Sequence, residues 1–162
     1  MASALVYLVL IASIGTGLNA GLFFIFSACI MAALGRLPAS GGIAAMNAIN
    51  DVIQNPLFFV VFLGTAVVAL AILVVAFLQG TPGSGFAIAA ALVFLVGTIG
   101  VTIVVNVPMN DALAAVNPES AEAASLWSGY LANWTAWNHV RTATSLASLV
   151  LFVLAYGRMA SA

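Results

Sequence analysis

Between Tyr130 and Arg141 the chain reads YLANWTAWNHVR, which gathers two of its three tryptophans, its one histidine and one of its few basic residues. His139 is the only side chain in the sequence whose ordinary pKa suits proton transfer near neutral pH. Arg141 carries a charge that needs a partner wherever water is scarce. Asp51 and Asp111 are the carboxylates the sequence offers for it. Proton transfer beside a fixed positive charge, among aromatic rings, is the chemistry these residue types allow.

On a continuous helix, Tyr130, Trp134, Trp137, Asn138, Arg141 and Ser145 share one stripe. His139 lies about 160° around that helix from Arg141, closer to Thr135 and Thr142. A regular helix cannot easily aim both at one small pocket, so either the helix is irregular near Trp137 or one of the two is structural. The ordinary explanations are an interfacial belt for the rings, a snorkelling arginine and a hydrogen-bonded core histidine. They account for the rings better than for Asn138 and Arg141.

The elements that must position these residues are membrane helices. Of 162 residues, 65% are hydrophobic and only 4% charged, and the mean hydropathy is +1.25. A soluble domain carries about 25% charged residues. Four apolar runs, about 5–34, 57–78, 86–105 and 138–156, are each long enough to cross a hydrocarbon core, which takes about 20 helical residues. Continuous runs of this kind speak against a membrane barrel, whose strands alternate. The expected fold is therefore all-α: one integral membrane domain over 1–162, built as a four-helix transmembrane bundle. The first run has no basic start and is too long for a cleaved signal core, so it reads as a retained helix.

Between the first two runs, Pro38, Ser40 and Gly41-Gly42 read as breakers. Ile43, Met46, Ile49 and Ile53 then alternate with Asn47, Asn50, Asp51 and Gln54 at helical spacing. This predicts a short amphipathic interfacial helix after helix 1, with its asparagines either on a solvated face or in a site. Helix 2 is featureless and reads as scaffold. Thr98, Thr102, Asn106 and Asn110 form a polar stripe on helix 3 that meets Pro108, where a kink or an end is expected. Asn117-Pro118-Glu119 reads as a turn opening a semi-polar helical segment before helix 4, with Glu119 and Glu122 in its first turn. On helix 1, Asn19 and Phe23 share a face, and Asn19 is either a pocket residue or interhelical glue.

Composition excludes several classes. A net charge of -1 with no lysine rules out an electrostatic nucleic-acid binder and lysine-nucleophile chemistry. One cysteine, Cys29, cannot make an internal disulfide or a cysteine-rich metal site. One histidine gives poor support for a metal centre, so none is assigned. Glycine-rich phosphate loops and nucleophile elbows are absent from the sequence.

Four blocks, GLFFIFSACIMAALGRLP, AMNAINDVIQNP, VNVPMNDAL and the pattern W-x-x-Y-x-x-x-W-x-x-W-N-H-V-R-T, resemble the anthrone-oxygenase-like family of small membrane proteins. The resemblance implies a four-helix membrane bundle. For some members it also implies O2-dependent oxidation of an anthrone to an anthraquinone. It carries over Asn47, Asn50, Asn106, Asn110, Trp137, Asn138, His139 and Arg141 as site positions. In that picture His139 is the base, and Asn106, Asn110 and Asn138 donate to the developing oxyanion. Arg141 holds negative charge, and Trp134 and Trp137 stack on the substrate, with Asn19, Phe23, Asn47 and Asn50 completing the binding site. O2 is the co-substrate and no bound cofactor is required in principle, while a metal or haem brought from outside stays open.

Two other functions compete: a non-catalytic membrane module that binds or moves a lipophilic molecule such as a quinone, and a structural subunit of a membrane complex. The expected partners are the lipid bilayer and a lipophilic aromatic small molecule. Small-residue faces on helix 1 also make a homo-oligomer an option. The expected location is a bacterial inner (plasma) membrane, as a multi-pass protein.

Overall fold

The computed structural model describes residues 4–161, so Met1 to Ser3 and Ala162 lie outside it. Among the described residues every regular element is a helix. We number them α1 (Ala4–Leu34), α2 (Ala39–Ile53), α3 (Pro56–Gln79), α4 (Ser84–Ala115) and α5 (Ala123–Ala160). All but α2 are long and apolar enough to cross a membrane. The protein is a multi-pass membrane protein with the expected four-helix architecture.

The four long helices form a ring in the order α1, α3, α4, α5, each packing on the next and α5 closing back on α1. Small residues let these backbones approach, which is how helices associate when lipid offers no hydrophobic gain. A β-carbon added to Gly15 would run into the Thr65 side chain of α3, and one on Gly97 into Thr144 of α5. At the end of the bundle holding both chain termini, Leu5, Val9, Ala69, Ile72, Phe94 and Phe152 form a fully buried apolar core.

Two local irregularities sit at the other end, and a third borders this core. The helix α1 widens into a π-helical turn at Phe26–Ile30. In α4 two such turns follow, Leu95–Gly100 and Thr102–Asn106. The second lies just before Pro108, whose ring nitrogen cannot donate to the preceding turn. The wider winding absorbs that mismatch, and the helix runs on to Ala115 instead of ending near 105. The helix thus passes Pro108 with locally widened winding, and the stop that the sequence allows there does not occur.

Two further expectations change. The semi-polar segment and helix 4 are one helix, α5, which starts at Ala123 instead of near 138. Glu122 sits at its N-cap, and the backbone N–H of Glu119 is held by the Asn117 side chain at 3.1 Å, so neither glutamate is in the first turn. Gly41 and Gly42 do not break the chain but lie in the first turn of α2, after Pro38 at the N-cap. Gly42 is needed there for space: a β-carbon would come within 2.5 Å of the Trp127 indole. Through that contact, and through buried Ile43 and Met46, α2 rests on α5 as a cap on the bundle.

Candidate functional site

Beneath α2, between it and the facing halves of α1, α3, α4 and α5, lies a cavity of about 390 Å³. That is within the roughly 300–1,000 Å³ of small-molecule pockets. Its walls are mostly aromatic and aliphatic, with Phe23 and Phe26 from α1, and Phe58 and Phe62 from α3. A few convergent polar groups complete it: Asn47, Asn50 and Asp51 from α2, Thr102, Asn110 and Asp111 from α4, and Arg141 from α5.

Arg141 is the centre of this site. It is only 5% exposed, and its guanidinium carbon lies 4.4 Å from the Phe23 ring centroid and 4.8 Å from that of Trp134. Placement of a guanidinium on ring faces is favourable when it is desolvated. One terminal nitrogen donates to Asn138 Oδ1 at 2.7 Å, and the other reaches Thr102 Oγ1 at 3.4 Å. Both partners are neutral. Asp51 and Asp111 line the same cavity, yet neither supplies these bonds, so the carboxylate pairing suggested by the sequence is not made. Nε has no partner.

Asn138 is fully buried and holds Arg141 in place. Its amide nitrogen donates to the Phe23 carbonyl and to Ser27 Oγ, both at 2.7 Å. These acceptors flank the start of the wide turn of α1, where the regular i→i+4 ladder is interrupted and a carbonyl is freed for an outside donor. The irregularity in α1 and the amide on α5 therefore explain each other.

Asn110 ties three elements together. Its Oδ1 accepts from Tyr130 Oη and from Trp134 Nε1, each at 2.8 Å, and its Nδ2 donates to Asn50 Oδ1 at 3.2 Å. Along α5, Trp127, Tyr130 and Trp134 stack in a ladder with centroids 5.7 and 6.0 Å apart. Asn106 is buried next to this, donating to the Trp134 carbonyl at 3.3 Å, and Thr98 bonds Thr144 and Ser145 at 3.0 Å each. The polar stripe of α4 therefore faces α5 over its whole length.

The structure thus brings together Phe23, Asn47, Asn50, Asn110, Trp134 and Arg141 around one cavity, with Asn106 and Asn138 just behind. It does not bring His139 or Trp137 there. Both are exposed, on different flanks of α5, which stays a regular helix, so the angular conflict between His139 and Arg141 is real. Asn19 also does not line the cavity; its amide donates to the Gly15 carbonyl at 2.9 Å and to that of Val61 on α3 at 3.5 Å. The asparagines of α2 turn inward and are not a solvated face.

Sequence reasoning missed α3, which supplies Phe58, Phe59, Phe62 and Leu63 to the wall. Its phenylalanines at 58, 59 and 62 were a visible signal, hidden by the apolar background. Among the described residues, no three His, Cys, Asp or Glu side chains come together in a group that could hold a metal ion.

Comparison with protein families matches residues 58–151 to the anthrone oxygenase family. The chain belongs to that family. The family match takes in α3, α4 and most of α5, and with them Phe58, Thr102, Asn110, Trp134 and Arg141; the α1 and α2 walls lie outside it. No curated protein and no solved structure matches the chain.

Proposed function

We propose that the cavity binds a flat, lipophilic aromatic ketone of the anthrone type and that the protein oxidises it with O2. The observation that carries this reading is Arg141: a buried guanidinium sandwiched by Phe23 and Trp134, bonded only to neutral partners, and lining a cavity of ligand size. A cation in a membrane interior is costly and marks a functional site. An anionic oxygen on a flat ring system would supply the missing negative charge while its rings pack against phenylalanine.

In the reaction, a base takes a proton from the methylene carbon para to the ring carbonyl carbon. The electron pair moves onto the carbonyl oxygen, which becomes an oxyanion held by Arg141. The electron-rich anion reduces O2 and forms a C–O bond to give a hydroperoxide. Loss of water then leaves a second carbonyl, so that anthrone and O2 yield anthraquinone and H2O. Asp51 and Asp111, the carboxylates lining the cavity, are the proton acceptors in this reading. His139 faces away from the cavity.

The test is O2 uptake and anthraquinone formation with anthrone by the reconstituted protein and by Arg141→Gln. Loss of an oxyanion-stabilising donor should lower turnover by about 10²–10³-fold. Equal rates with and without protein would overturn the oxidation. Tight anthraquinone binding without O2 uptake would make the protein a quinone-binding module instead.

A further inference from the structure

The wall formed by α3 and α4 is incomplete at membrane depth. The helix α3 packs on α4 mainly along Ser84–Gly100, and the two diverge where α4 takes its second wide turn at Thr102–Asn106. Phe59 and Leu63 on one side and Ile103 and Val107 on the other line the cavity and are 40–61% exposed on the outer surface. A residue that faces both the interior and the exterior marks a mouth.

Depth places this mouth in lipid. At 1.5 Å per residue, Leu63 lies about 10 Å below the start of α3, and Val107 and Ile103 about 12 and 18 Å below the end of α4. A hydrocarbon core about 30 Å thick reaches those levels. Behind the mouth the path is lined with rings. Phe58 and Phe62 stack at 5.2 Å with 11° between their planes, and Phe62 meets Phe23 edge-on at 6.3 Å. Phe23 carries the Arg141 guanidinium. The cavity's other lip, under α2, bears exposed Asp51, Gln54 and Asp111 and faces the polar end of the bundle.

We propose that the ligand enters and leaves sideways, from the bilayer, through the cleft between α3 and α4. The route rests on the reading of the cavity as a site for a flat lipophilic ring system. Such a molecule is concentrated in the bilayer by its apolar surface, gaining about 25 cal/mol for each Å² removed from water. A carboxylate-bearing mouth offers it nothing in exchange, whereas an apolar cleft lets it pass without rehydration. The acidic lip is then free to serve protons and water, so the two mouths divide the traffic by polarity.

The test uses anthraquinone, which is inert to O2, dissolved in phosphatidylcholine vesicles with the reconstituted protein. Binding is followed by quenching of tryptophan fluorescence in a stopped-flow instrument. Ile103→Phe combined with Val107→Phe narrows the cleft on lipid-facing positions that the fold does not bury; Gln54→Phe narrows the acidic lip. In the double variant, association and dissociation should both slow by about tenfold while Kd stays within about twofold, since a narrowed passage changes rates and not the bound state. Unchanged rates in the double variant, or slowing in Gln54→Phe alone, overturn the route.

O2 uptake with anthrone in the same vesicles separates this from the oxidation itself. Slowed exchange without uptake by the wild type leaves the route standing and sinks the oxidation. Uptake with unaltered exchange does the reverse. A wild-type protein that exchanges no anthraquinone overturns the route, and the oxidation then stands or falls on uptake alone.

Discussion

The two ends of this bundle are built on different rules. At the close-packed end, α1, α3, α4 and α5 meet through alanines and a few large apolar side chains, with Phe94 and Phe152 fully buried, α5 regular throughout and α4 regular up to Phe94, where its first wide turn begins. At the other end α1 and α4 carry wide turns, and the helices enclose a cavity and a buried network running from Asn50 through Asn110 to Tyr130 and Trp134. The first end is packed for stability. The second gives up packing to hold a cation and open space. Since one set of helices makes both, the close-packed end serves as the clamp that keeps the loose end in register. That division can be tested, because mutations at the two ends should separate stability from function.

The largest expected effect is Arg141→Gln. Turnover should fall by about 10²–10³-fold while the bundle keeps or gains stability, by up to about 1–4 kcal/mol, because a buried charge without a counter-ion costs more than it contributes. Paired measurements of O2 uptake and of unfolding in mixed micelles check it. If the bundle instead falls apart, the polar end is structural glue and the comparison fails.

At the close-packed end the effects should invert. Phe94→Ala leaves a hole where the ring is fully buried and should lower stability by about 3–5 kcal/mol. Per folded molecule, anthraquinone binding should not change. Substituting leucine for Gly97, where α4 approaches Thr144 of α5, should likewise unfold the bundle before it alters the site.

How far each end can be read from sequence follows from the same physics. Hydropathy and length were enough for four spans, because a bilayer demands about 20 apolar residues and internal backbone bonding. The spacing of Thr98, Thr102, Asn106 and Asn110, and of Tyr130, Trp134, Asn138 and Arg141, announced two polar stripes, and the structure turns them toward each other. What the sequence hid was local winding. Wide turns at Phe26–Ile30 and Thr102–Asn106 have no hydropathy signature, and with them went the length of α4 and the freed Phe23 carbonyl. The wall role of Phe58 and Phe62 was also hidden, since a ring facing a cavity and a ring facing lipid look alike in an apolar run. Asn47 and Asn50 were ambiguous for a related reason: an amphipathic helix shows which face is polar, not what that face meets.

A middling effect belongs to Asn110→Ala, which removes one acceptor shared by Tyr130 and Trp134 and a donor to Asn50. Each orphaned buried partner should cost about 1–3 kcal/mol, so stability should fall moderately. Because the lost bonds fix Trp134, which stacks on Arg141, affinity for anthraquinone should weaken as well. Both readouts moving together marks Asn110 as the joint between cap and site. A stability loss with unchanged affinity would confine it to the cap.

The smallest effect is expected from His139→Ala, and it sharpens the comparison most. His139 has the right chemistry for a base, yet it lies on the outward side of α5, while the cavity is lined by Asp51, Asp111 and Arg141. If position governs, the variant should keep wild-type turnover within about twofold, since surface substitutions away from such features change little. Asp51→Asn and Asp111→Asn should then slow the reaction more than His139→Ala does, as loss of general-base assistance typically costs about 10²–10⁴-fold. Should His139→Ala abolish O2 uptake with the fold intact, the reacting carbon would have to sit outside the cavity beneath α2. The loose end would then be a binding chamber without chemistry, and the exposed flank of α5 that carries His139 would become the place to look.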